Sequence, residues 1–553
     1  MASSVLGNYF ECKPVLVEEA DIVLCASGSV ILGIDLQNGD LKFSFKAHSD
    51  IVTCIYFSPL QASRVVSCSR DGYVITWDLN TRSEISRFTV DKPVYAVIVP
   101  TFTNHEVTGK PDTFLVLERN NDETDKDDMD SSADKRKSKA GGNEDRNLVG
   151  KRFKLVVYDS LSSKNRRNIC RVSGHSNTTT LANIDGSEIV VAVSKRNLCL
   201  VFADSRLGIK STCSINFNMT CATSNANRDI IVTGHLNGMM LIWHDIKSWT
   251  TAGRERTVTA GGMKSELVNI PPPACTILHW HSHPVASIAS NNDGTMIYSG
   301  GEEGVVVVWQ TSTGIKNFIP HLGSNIAHIT ASTSAPVAVV TTSNNCLRVL
   351  STTSLLERWM TQSMCVGPFL DYSIPSDVKS SCQIQIDPIS DFVVCNGYPG
   401  QLQMYDISAN SVKFIHDVVQ FNRVSRTDQY TKLYVPTVSL FKFHKYESSN
   451  DQKERIVMAT VDARRGEEFA RELNLKFWEW SQDNHSYRLV THVPRPHGEN
   501  RVTSLAFNPT NSASCVTAAM DGTVKMWRSA SSSASPHWIC MYSLTYRCFN
   551  NTH

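Results

Sequence analysis

One spacing recurs in this chain and restricts its fold more than any other feature: a glycine stands five residues before a tryptophan. It occurs in "DGYVITW", "NGMMLIW", "EGVVVVW" and "DGTVKMW", which end at Trp77, Trp243, Trp309 and Trp527. In each copy the glycine lies between two runs rich in β-branched residues, which is the pattern of a β-hairpin. For "RDGYV" we expect a two-residue type I′ turn with positive φ at both Asp71 and Gly72.

Repetition of this hairpin at intervals of about 40–45 residues predicts an all-β chain built from WD-repeat propeller blades. Weaker copies keep the five-residue offset with another anchor, at Ile34, Leu350 and Tyr405, and Tyr158 is the anchor of the third unit. Counting by these anchors predicts a seven-bladed propeller over residues 1–365 and a second, incomplete propeller over 366–553. After the third unit of the second series, "PHWICMYSL" reads as the opening strand of a further blade.

Two long stretches interrupt the blade period. Residues 119–150 hold an acidic run followed by "KRKSK" and almost no apolar residues, so we expect a disordered insertion. Residues 247–275 end in three consecutive prolines and predict a long loop.

Polar residues at fixed offsets from the tryptophans predict a buried cluster in each blade. A buried indole N–H, an imidazole and a carboxylate each need a hydrogen-bond partner, and together they can satisfy one another. The expected cluster residues are His48, Asp71, Trp77, Trp243, His281, Trp309, His497, Thr517, Asp521 and Trp527. In the cluster of His281, Glu303 stands in the position of the aspartate, which could alter the network.

The same residues argue against an enzyme. A His-Asp-Ser set that recurs in several blades at one offset is a structural device, and no Walker, GxSxG or HExxH motif occurs. The string "HWHSH" at 279–283 suggests a metal site, but His281 belongs to a blade cluster and no acidic or cysteine ligand is near in sequence. We therefore expect no catalytic residues, no metal, no cofactor and no small-molecule substrate.

Charge and cysteine content limit the remaining classes of partner. Lys plus Arg number 54 and Asp plus Glu 53, so any contact with nucleic acid is expected to be a local patch. The 16 cysteines form no C-x-x-C pair and read as buried reduced thiols. No segment reads as a signal peptide or a membrane span, which favours an intracellular protein without a membrane partner.

The one strongly basic run has two interpretations. Lys135, Arg136, Lys137 and Lys139 could form a nuclear-import signal or a contact for RNA phosphates. They could equally belong to a solvated charged loop, and the acidic residues before them oppose tight nucleic-acid binding by the loop alone.

Several strings go beyond general WD-repeat features. The run "TGHLNGMMLIWHD", "LHWHSHPVASIA", "YSGGEEGVVVVWQ" and "KNFIPHLGSNIAHITAS" resembles the WD repeat-containing protein 75 family, and "IDPISDFVVCNGYPGQLQMYDI" extends the resemblance. It is best over about 230–410, and that family is longer at its C-terminus.

The resemblance implies a non-enzymatic scaffold of the small-subunit processome, a nucleolar UtpA (t-UTP) subunit. It further implies partners among the other UtpA subunits, contact with pre-rRNA directly or through them, and a role in small-subunit rRNA processing and RNA polymerase I transcription. Without the resemblance, the residues indicate only a double propeller that serves as an interaction platform. They leave open a WD-repeat adaptor of another nuclear or cytosolic complex, such as a ubiquitin ligase.

Overall fold

The fold was analysed in a computed structural model of the chain. The structure describes residues 8–57, 63–90, 92–98, 113–119, 152–159, 165–173, 181–183, 189–194, 197–202, 209–214, 218–225, 227–246, 268–269, 274–319, 322–364, 383–397, 400–408, 411–420, 436–447, 454–464, 472–482, 485–509, 514–530 and 537–545. The chain divides into two compact units, residues 3–361 and 362–553.

The first unit consists of seven sheets, each built on four antiparallel strands, and one of the sheets carries a fifth, parallel strand at its edge. We call the sheets blades 1–7 and the strands of a blade a to d. Blade 1 has β1 (Val15–Val17), β2 (Ile22–Ser27), β3 (Val30–Asp35) and β4 (Leu41–Lys46), with a short 3-10 helix at Glu18–Ala20. Blade 2 has β5 (Val52–Phe57), β6 (Arg64–Ser69), β7 (Tyr73–Asp78) and β8 (Ser83–Thr89). Blade 3 has β9 (Val94–Ile98), β10 (Thr113–Arg119), β11 (Arg152–Asp159) and β12 (Asn165–Ser173).

The remaining blades of this unit have the same order. Blade 4 has β13 (Leu181–Asn183), β14 (Ile189–Ser194), β15 (Asn197–Phe202) and β16 (Ile209–Ser214), with β20 (Val268–Asn269) added at its edge. Blade 5 has β17 (Met219–Asn225), β18 (Ile230–His235), β19 (Met239–Trp243) and β21 (Cys275–His279). Blade 6 has β22 (Val285–Ser290), β23 (Met296–Gly301), β24 (Val306–Gln310) and β25 (Lys316–Ile319). Blade 7 has β26 (Ile326–Ala331), β27 (Val337–Thr342), β28 (Cys346–Ser351) and β29 (Glu357–Gln362).

The burial of the four strands shows how each blade is ordered from the centre of the ring to its rim. Strands b and c are rich in Val and Ile and are almost wholly buried, as in β6 and β7, whereas strand d is mostly exposed, as in β8. First strands of neighbouring blades contact each other, for example β5 with β9 and β22 with β26. Strands a therefore face the centre of the ring and strands d form its rim.

Blade 7 packs against blade 1, and this contact closes the ring. Val23 and Cys25 of blade 1 share one apolar cluster with Val339 and Val349 of blade 7. Hydrogen bonds cross the same junction: the Trp359 indole N–H donates to the Leu36 carbonyl over 2.8 Å. The first unit is thus a closed seven-bladed β-propeller, as the blade count predicted, and closure leaves only short, protected sheet edges.

The hairpin turn differs from the expected type I′ turn. Gly72 has φ of +81°, but Asp71 is not among the residues with positive φ. The N–H of Gly72 donates to the Ser69 carbonyl over 3.2 Å, so the turn spans four residues and only its last one is left-handed. This three-residue loop, a type I turn followed by glycine, frees Asp71 to direct its carboxylate toward the blade interior.

Both predicted insertions fall largely outside the described residues. Where the structure describes their ends, Arg119 closes strand β10 and Cys275 opens strand β21. Within the predicted loop at 247–275, β20 pairs in parallel with β16, so this part of the excursion is a fifth strand of blade 4.

The second unit contains three further four-stranded blades, 8 to 10, among its described residues. Blade 8 has β30 (Ile384–Ile386), β31 (Val393–Gly397), β32 (Gln401–Asp406) and β33 (Ser411–Asp417). Blade 9 has β34 (Thr437–Glu447), β35 (Glu454–Arg464), β36 (Glu472–Ser481) and β37 (Ser486–Pro494). Blade 10 has β38 (Val502–Phe507), β39 (Ser514–Ala519), β40 (Thr523–Ala530) and β41 (His537–Thr545). Closed propellers typically have four to eight blades, and the described residues of this unit contain three.

The last strand corrects one expectation. The string "PHWICMYSL" does not open a further blade, because β41 pairs antiparallel with β40 and is strand d of blade 10. Its Trp538 packs flat on Phe477 of blade 9 at a centroid distance of 4.3 Å and helps to join the two blades. Among the described residues there is no helix with the length and apolar composition needed to span a bilayer.

Candidate functional site

The predicted polar cluster of blade 2 is assembled from four segments. His48, in the connection before strand a, places Nε2 2.8 Å from Ser67 Oγ and Nδ1 3.1 Å from Asp71 Oδ2. The Trp77 indole on strand c donates to the same Ser67 oxygen over 2.9 Å. The chain of bonds therefore runs from the turn carboxylate through the imidazole and the hydroxyl to the indole.

Burial and hydrogen bonding set the electrostatics of this cluster. Burial lowers the pKa of His48, although Asp71 opposes that shift. Burial alone would raise the pKa of Asp71, but the backbone N–H groups of Tyr73 and Ser49 and the His48 ring together hold it below its ordinary value. The carboxylate is thus ionised and accepts from donors on both sides of the turn.

Blade 6 builds the same cluster with a glutamate. His281 Nδ1 lies 3.0 Å from Glu303 Oε2 and Nε2 lies 2.9 Å from Ser299 Oγ, which accepts the Trp309 indole N–H over 2.8 Å. The other Glu303 oxygen accepts backbone N–H bonds from Ser282 and His283. Burial raises the pKa of Glu303, but the hydrogen bond with His281, followed by backbone N–H bonds that include that of His283, holds it at about 2. The longer side chain changes the carboxylate but leaves the network intact.

Blade 10 repeats the arrangement with a threonine hydroxyl. His497 contacts Thr517 Oγ1 through Nε2 at 2.8 Å and Asp521 Oδ2 through Nδ1 at 3.3 Å, and Trp527 donates to Thr517 over 2.8 Å. The hydroxyl of Thr523 adds a contact to Nδ1 at 2.8 Å.

Blade 5 obtains its imidazole from a different place. Trp243 donates to Thr233 Oγ1 over 2.9 Å, and that oxygen lies 3.0 Å from Nε2 of His235 at the end of strand b. His235 is fully buried, and burial lowers its pKa to about 4, so the neutral ring occupies this position. His235 was not predicted, because this histidine follows Thr233 on strand b, whereas the predicted histidines precede strand a.

Two further blades contain substitutes that the sequence analysis also missed. In blade 9 the Trp478 indole donates to Thr460 over 2.9 Å, and a buried ion pair joins Lys476 on strand c to Asp462 on strand b. In blade 3 the Tyr158 hydroxyl donates to buried Glu118 over 2.7 Å. A buried lysine or glutamate within a strand reads as a solvent-facing residue in sequence, so no local signal identified either one.

Each of these clusters links strands within its blade through a buried hydroxyl. The hydroxyls of Ser67, Thr233, Ser299 and Thr517 are fully buried, and each already accepts an indole N–H and contacts an imidazole. A substrate would have to displace these bonds and open the blade core to reach them. The possible nuclear-import or RNA-contact patch, Lys135, Arg136, Lys137 and Lys139, lies outside the described residues.

Comparison with protein families agrees with the two units. Residues 15–260 match the model of the WD repeat-containing protein 75 first beta-propeller, and residues 384–553 match that of its second beta-propeller. Residues 274–310, which cover most of blade 6, match the WD domain, G-beta repeat.

Curated relatives extend over nearly the whole chain. WD repeat-containing protein 75 of Danio rerio is 24% identical over 96% of this chain and 57% of its own length, and that of Mus musculus is 25% identical over 93% and 55%. The U3 small nucleolar RNA-associated protein 17 of Schizosaccharomyces pombe is 25% identical over 50% of this chain and 36% of its own length. The chain spans about half the length of the curated WD repeat-containing protein 75 relatives that it matches.

Proposed function

Because the chain belongs to the WD repeat-containing protein 75 family, we propose that it acts in ribosome biogenesis as a non-enzymatic scaffold subunit of the small-subunit processome. In this role it works in the nucleolus, supports processing of the small-subunit rRNA, and supports transcription by RNA polymerase I. Its partners are the other UtpA (t-UTP) subunits, with pre-rRNA contacted directly or through them. The fission-yeast relative, a U3 small nucleolar RNA-associated protein, is the observation that supports this proposal most directly.

The architecture supports a scaffold in physical terms. The polar residues that could do chemistry are engaged inside the blades, as in the cluster of His48, Ser67 and Trp77. Connections between strands lie at the ends of the blades, where a rigid sheet can present them to partners. Binding spread over several such connections does not depend on one reactive residue.

The competing function is an adaptor of another nuclear or cytosolic complex, such as a ubiquitin ligase. The propeller fold is equally compatible with it, since WD repeats host many unrelated functions. Family membership favours ribosome assembly, and the identity of the co-purifying partners separates the two.

The deciding experiment is affinity purification of the full chain followed by pulse labelling of rRNA after its depletion. We expect processome subunits and pre-rRNA in the purified material and a fall of small-subunit rRNA relative to large-subunit rRNA. Ubiquitin-ligase subunits in the purified material, together with normal rRNA maturation and a cytoplasmic location, would instead establish the adaptor.

The basic run offers a second, independent measurement. Reversing the charge of Lys135, Arg136, Lys137 and Lys139 should reduce nuclear import or RNA association without unfolding the first propeller. RNA association of the native chain should also weaken steeply with salt, because contacts to phosphates release counterions. Unchanged import and RNA binding would assign the run to a solvated loop.

A further inference from the structure

Two cysteines face each other across neighbouring strands of blade 2. Cys54 on β5 and Cys68 on β6 are direct partners in the antiparallel register, next to the bulge that follows Val52, and both are free thiols. Directly opposite residues of antiparallel strands have Cα atoms about 4.5–5.5 Å apart, which is within the range that a disulfide bridges. In the strand pairings that the structure describes, no other two cysteines are opposite each other.

The two thiols differ in access and in affinity for a proton. Cys54 is half-buried on strand a, whereas Cys68 is fully buried at the junction of blades 2 and 3. The Cys68 thiol donates a hydrogen bond to the Cys54 sulfur, and this bond, against the opposing effect of burial, holds the pKa of Cys54 below its ordinary value. Burial, together with the same bond, raises the pKa of Cys68. Cys54 is therefore the accessible thiol that ionises first, which is the property of a reactive cysteine.

Blade 5 provides an internal comparison, because Cys221 occupies the position of Cys54. Each cysteine lies next to a bulge in strand a and follows a threonine whose hydroxyl donates to the first carbonyl of strand a in the next blade. Opposite Cys221 stands Gly234 instead of a cysteine. Burial raises the pKa of Cys221 to about 12, even though the charge of Lys13 acts on it as it does on Cys54. The opposite thiol is therefore the feature that blade 2 adds at this position.

We propose that Cys54 and Cys68 form a reversible disulfide when the chain meets hydrogen peroxide, with Cys54 as the attacking thiol and Cys68 as the resolving thiol. The Cys54 thiolate attacks one peroxide oxygen, the O–O bond breaks, and the departing hydroxide takes up the proton that Cys54 released and leaves as water. The Cys68 sulfur then attacks the sulfur of the sulfenic acid, and the S–OH oxygen departs with the Cys68 proton as a second water. Two thiols are thereby oxidised to one disulfide and the peroxide is reduced to water, independently of any role in ribosome assembly.

The geometry of the strand pair makes this bond easy to reduce. Opposite side chains of an antiparallel pair have Cβ atoms about 4.5–5.5 Å apart, whereas a disulfide needs about 3.8 Å. Closing the bond draws the two strands together, and strained disulfides are the labile ones. Two molecules of glutathione reopen such a bond by thiol–disulfide exchange, which gives back both thiols and yields oxidised glutathione.

The test treats the purified full chain with hydrogen peroxide, quenches with iodoacetamide and digests with trypsin in the absence of reductant. Arg64 lies between the two cysteines, so trypsin places Cys54 in residues 47–64 and Cys68 in residues 65–70. We expect mass spectrometry to find these two peptides joined after peroxide, and separate when the folded chain receives reduced glutathione before the quench. Joining of either peptide to another cysteine, no joining at all, or a bond that glutathione leaves intact would overturn the proposal.

Two substitutions separate the two roles assigned to Cys68. Cys68→Ser keeps a hydroxyl that can donate to Cys54 but cannot form the bond, whereas Cys68→Ala removes the donor as well. Both variants should lack the joined peptides. Iodoacetamide should alkylate Cys54 about tenfold more slowly in Cys68→Ala than in Cys68→Ser, because a smaller fraction of the thiol is ionised. Equal alkylation rates in the two variants would show that Cys68 does not activate Cys54.

The matched control is Cys221→Ser, which removes the cysteine at the equivalent position of blade 5. The disulfide between Cys54 and Cys68 should form in this variant as in the native chain. In the native chain Cys221 should be alkylated more slowly than Cys54, because it is more deeply buried and has no thiol opposite it. Faster alkylation of Cys221, or loss of the disulfide in Cys221→Ser at an unchanged unfolding temperature, would overturn the assignment to the pair in blade 2.

Discussion

Trp309 allows the blade register to be tested quantitatively. Its side chain is 1% exposed and packs with Ile288, Ile297 and Val307 at the junction of blades 5 and 6. Its indole N–H donates to Ser299 in the cluster that anchors blade 6. Trp309→Ala therefore removes both a large apolar surface and the donor at the end of a buried network.

The magnitude follows from the buried ring. An aromatic side chain of this size buries up to about 250 Å², which at about 25 cal/mol per Å² gives an upper value near 6 kcal/mol. Measured truncations of buried aromatic residues cost about 3–5 kcal/mol. For a unit of this length, an unfolding entropy of about 2.1 cal/mol/K per residue gives roughly 0.75 kcal/mol/K. The expected fall in unfolding temperature is therefore about 4–7 °C.

Differential scanning calorimetry of the full chain measures this shift, and two variants interpret it. Trp309→Phe keeps most of the ring but loses the donor, so it should cost about 1–2 kcal/mol. Phe318→Ala, on strand d of the same blade and 44% exposed, should cost much less than Trp309→Ala because little burial is lost. If Trp309→Ala and Phe318→Ala shifted the transition equally, the reasoning that places Trp309 at the core of the blade junction would be refuted.

Three further predictions concern other residues and are measured by urea unfolding. Stability contributed by Glu303 should be present above pH 4.5 and be lost as the pH falls toward its folded pKa of about 2, and Glu303→Gln should flatten this dependence. Lys476→Met should cost about 3–5 kcal/mol by leaving Asp462 buried without a counter-charge, whereas adding Asp462→Leu should recover most of the loss. Gly238→Ala should cost about 2–4 kcal/mol, because φ is +80° and the added Cβ would overlap the backbone carbonyl of His281. The control Gly314→Ala should cost less, because Gly314 also has a positive φ, +68°, but its Cβ would meet open space.

Much of the fold could be predicted because the informative signals are local. The spacing between the glycine and the tryptophan depends on one turn and one strand only. It is therefore the same in every hairpin with a three-residue loop, such as the loop between Ser69 and Tyr73. The turn type was wrong because an Asp-Gly pair is compatible with two hairpin geometries, and only the bond from Gly72 to Ser69 distinguishes them.

The features that were missed depend on contacts between distant segments. β20 was predicted as loop because two residues carry no strand signal, and it exists through pairing with β16, more than fifty residues earlier. The blade 9 cluster escaped because its longer hairpin separates Thr460 from Trp478 by 18 positions instead of 10, which breaks the offset. Tertiary pairing, and not local propensity, decides both cases.

Comparison of the blade clusters shows which part of each cluster the fold requires. In blades 2, 5, 6, 9 and 10 an indole on strand c donates to a hydroxyl on strand b, from Trp77 to Trp527. The imidazole that contacts this hydroxyl varies in origin: His48 comes from the connection before strand a, and His235 from strand b. The connection that enters a blade is also held by a polar contact in blades 2 and 9. In blade 2, His48 of that connection contacts Asp71 in the turn before strand c. In blade 9, Lys476 on strand c donates to the Val418 carbonyl of that connection, so in both blades the sheet fixes the position of the connection while its exposed residues remain free to vary. Exposed connections can therefore carry charges such as that of Arg495 without disturbing the core that positions them.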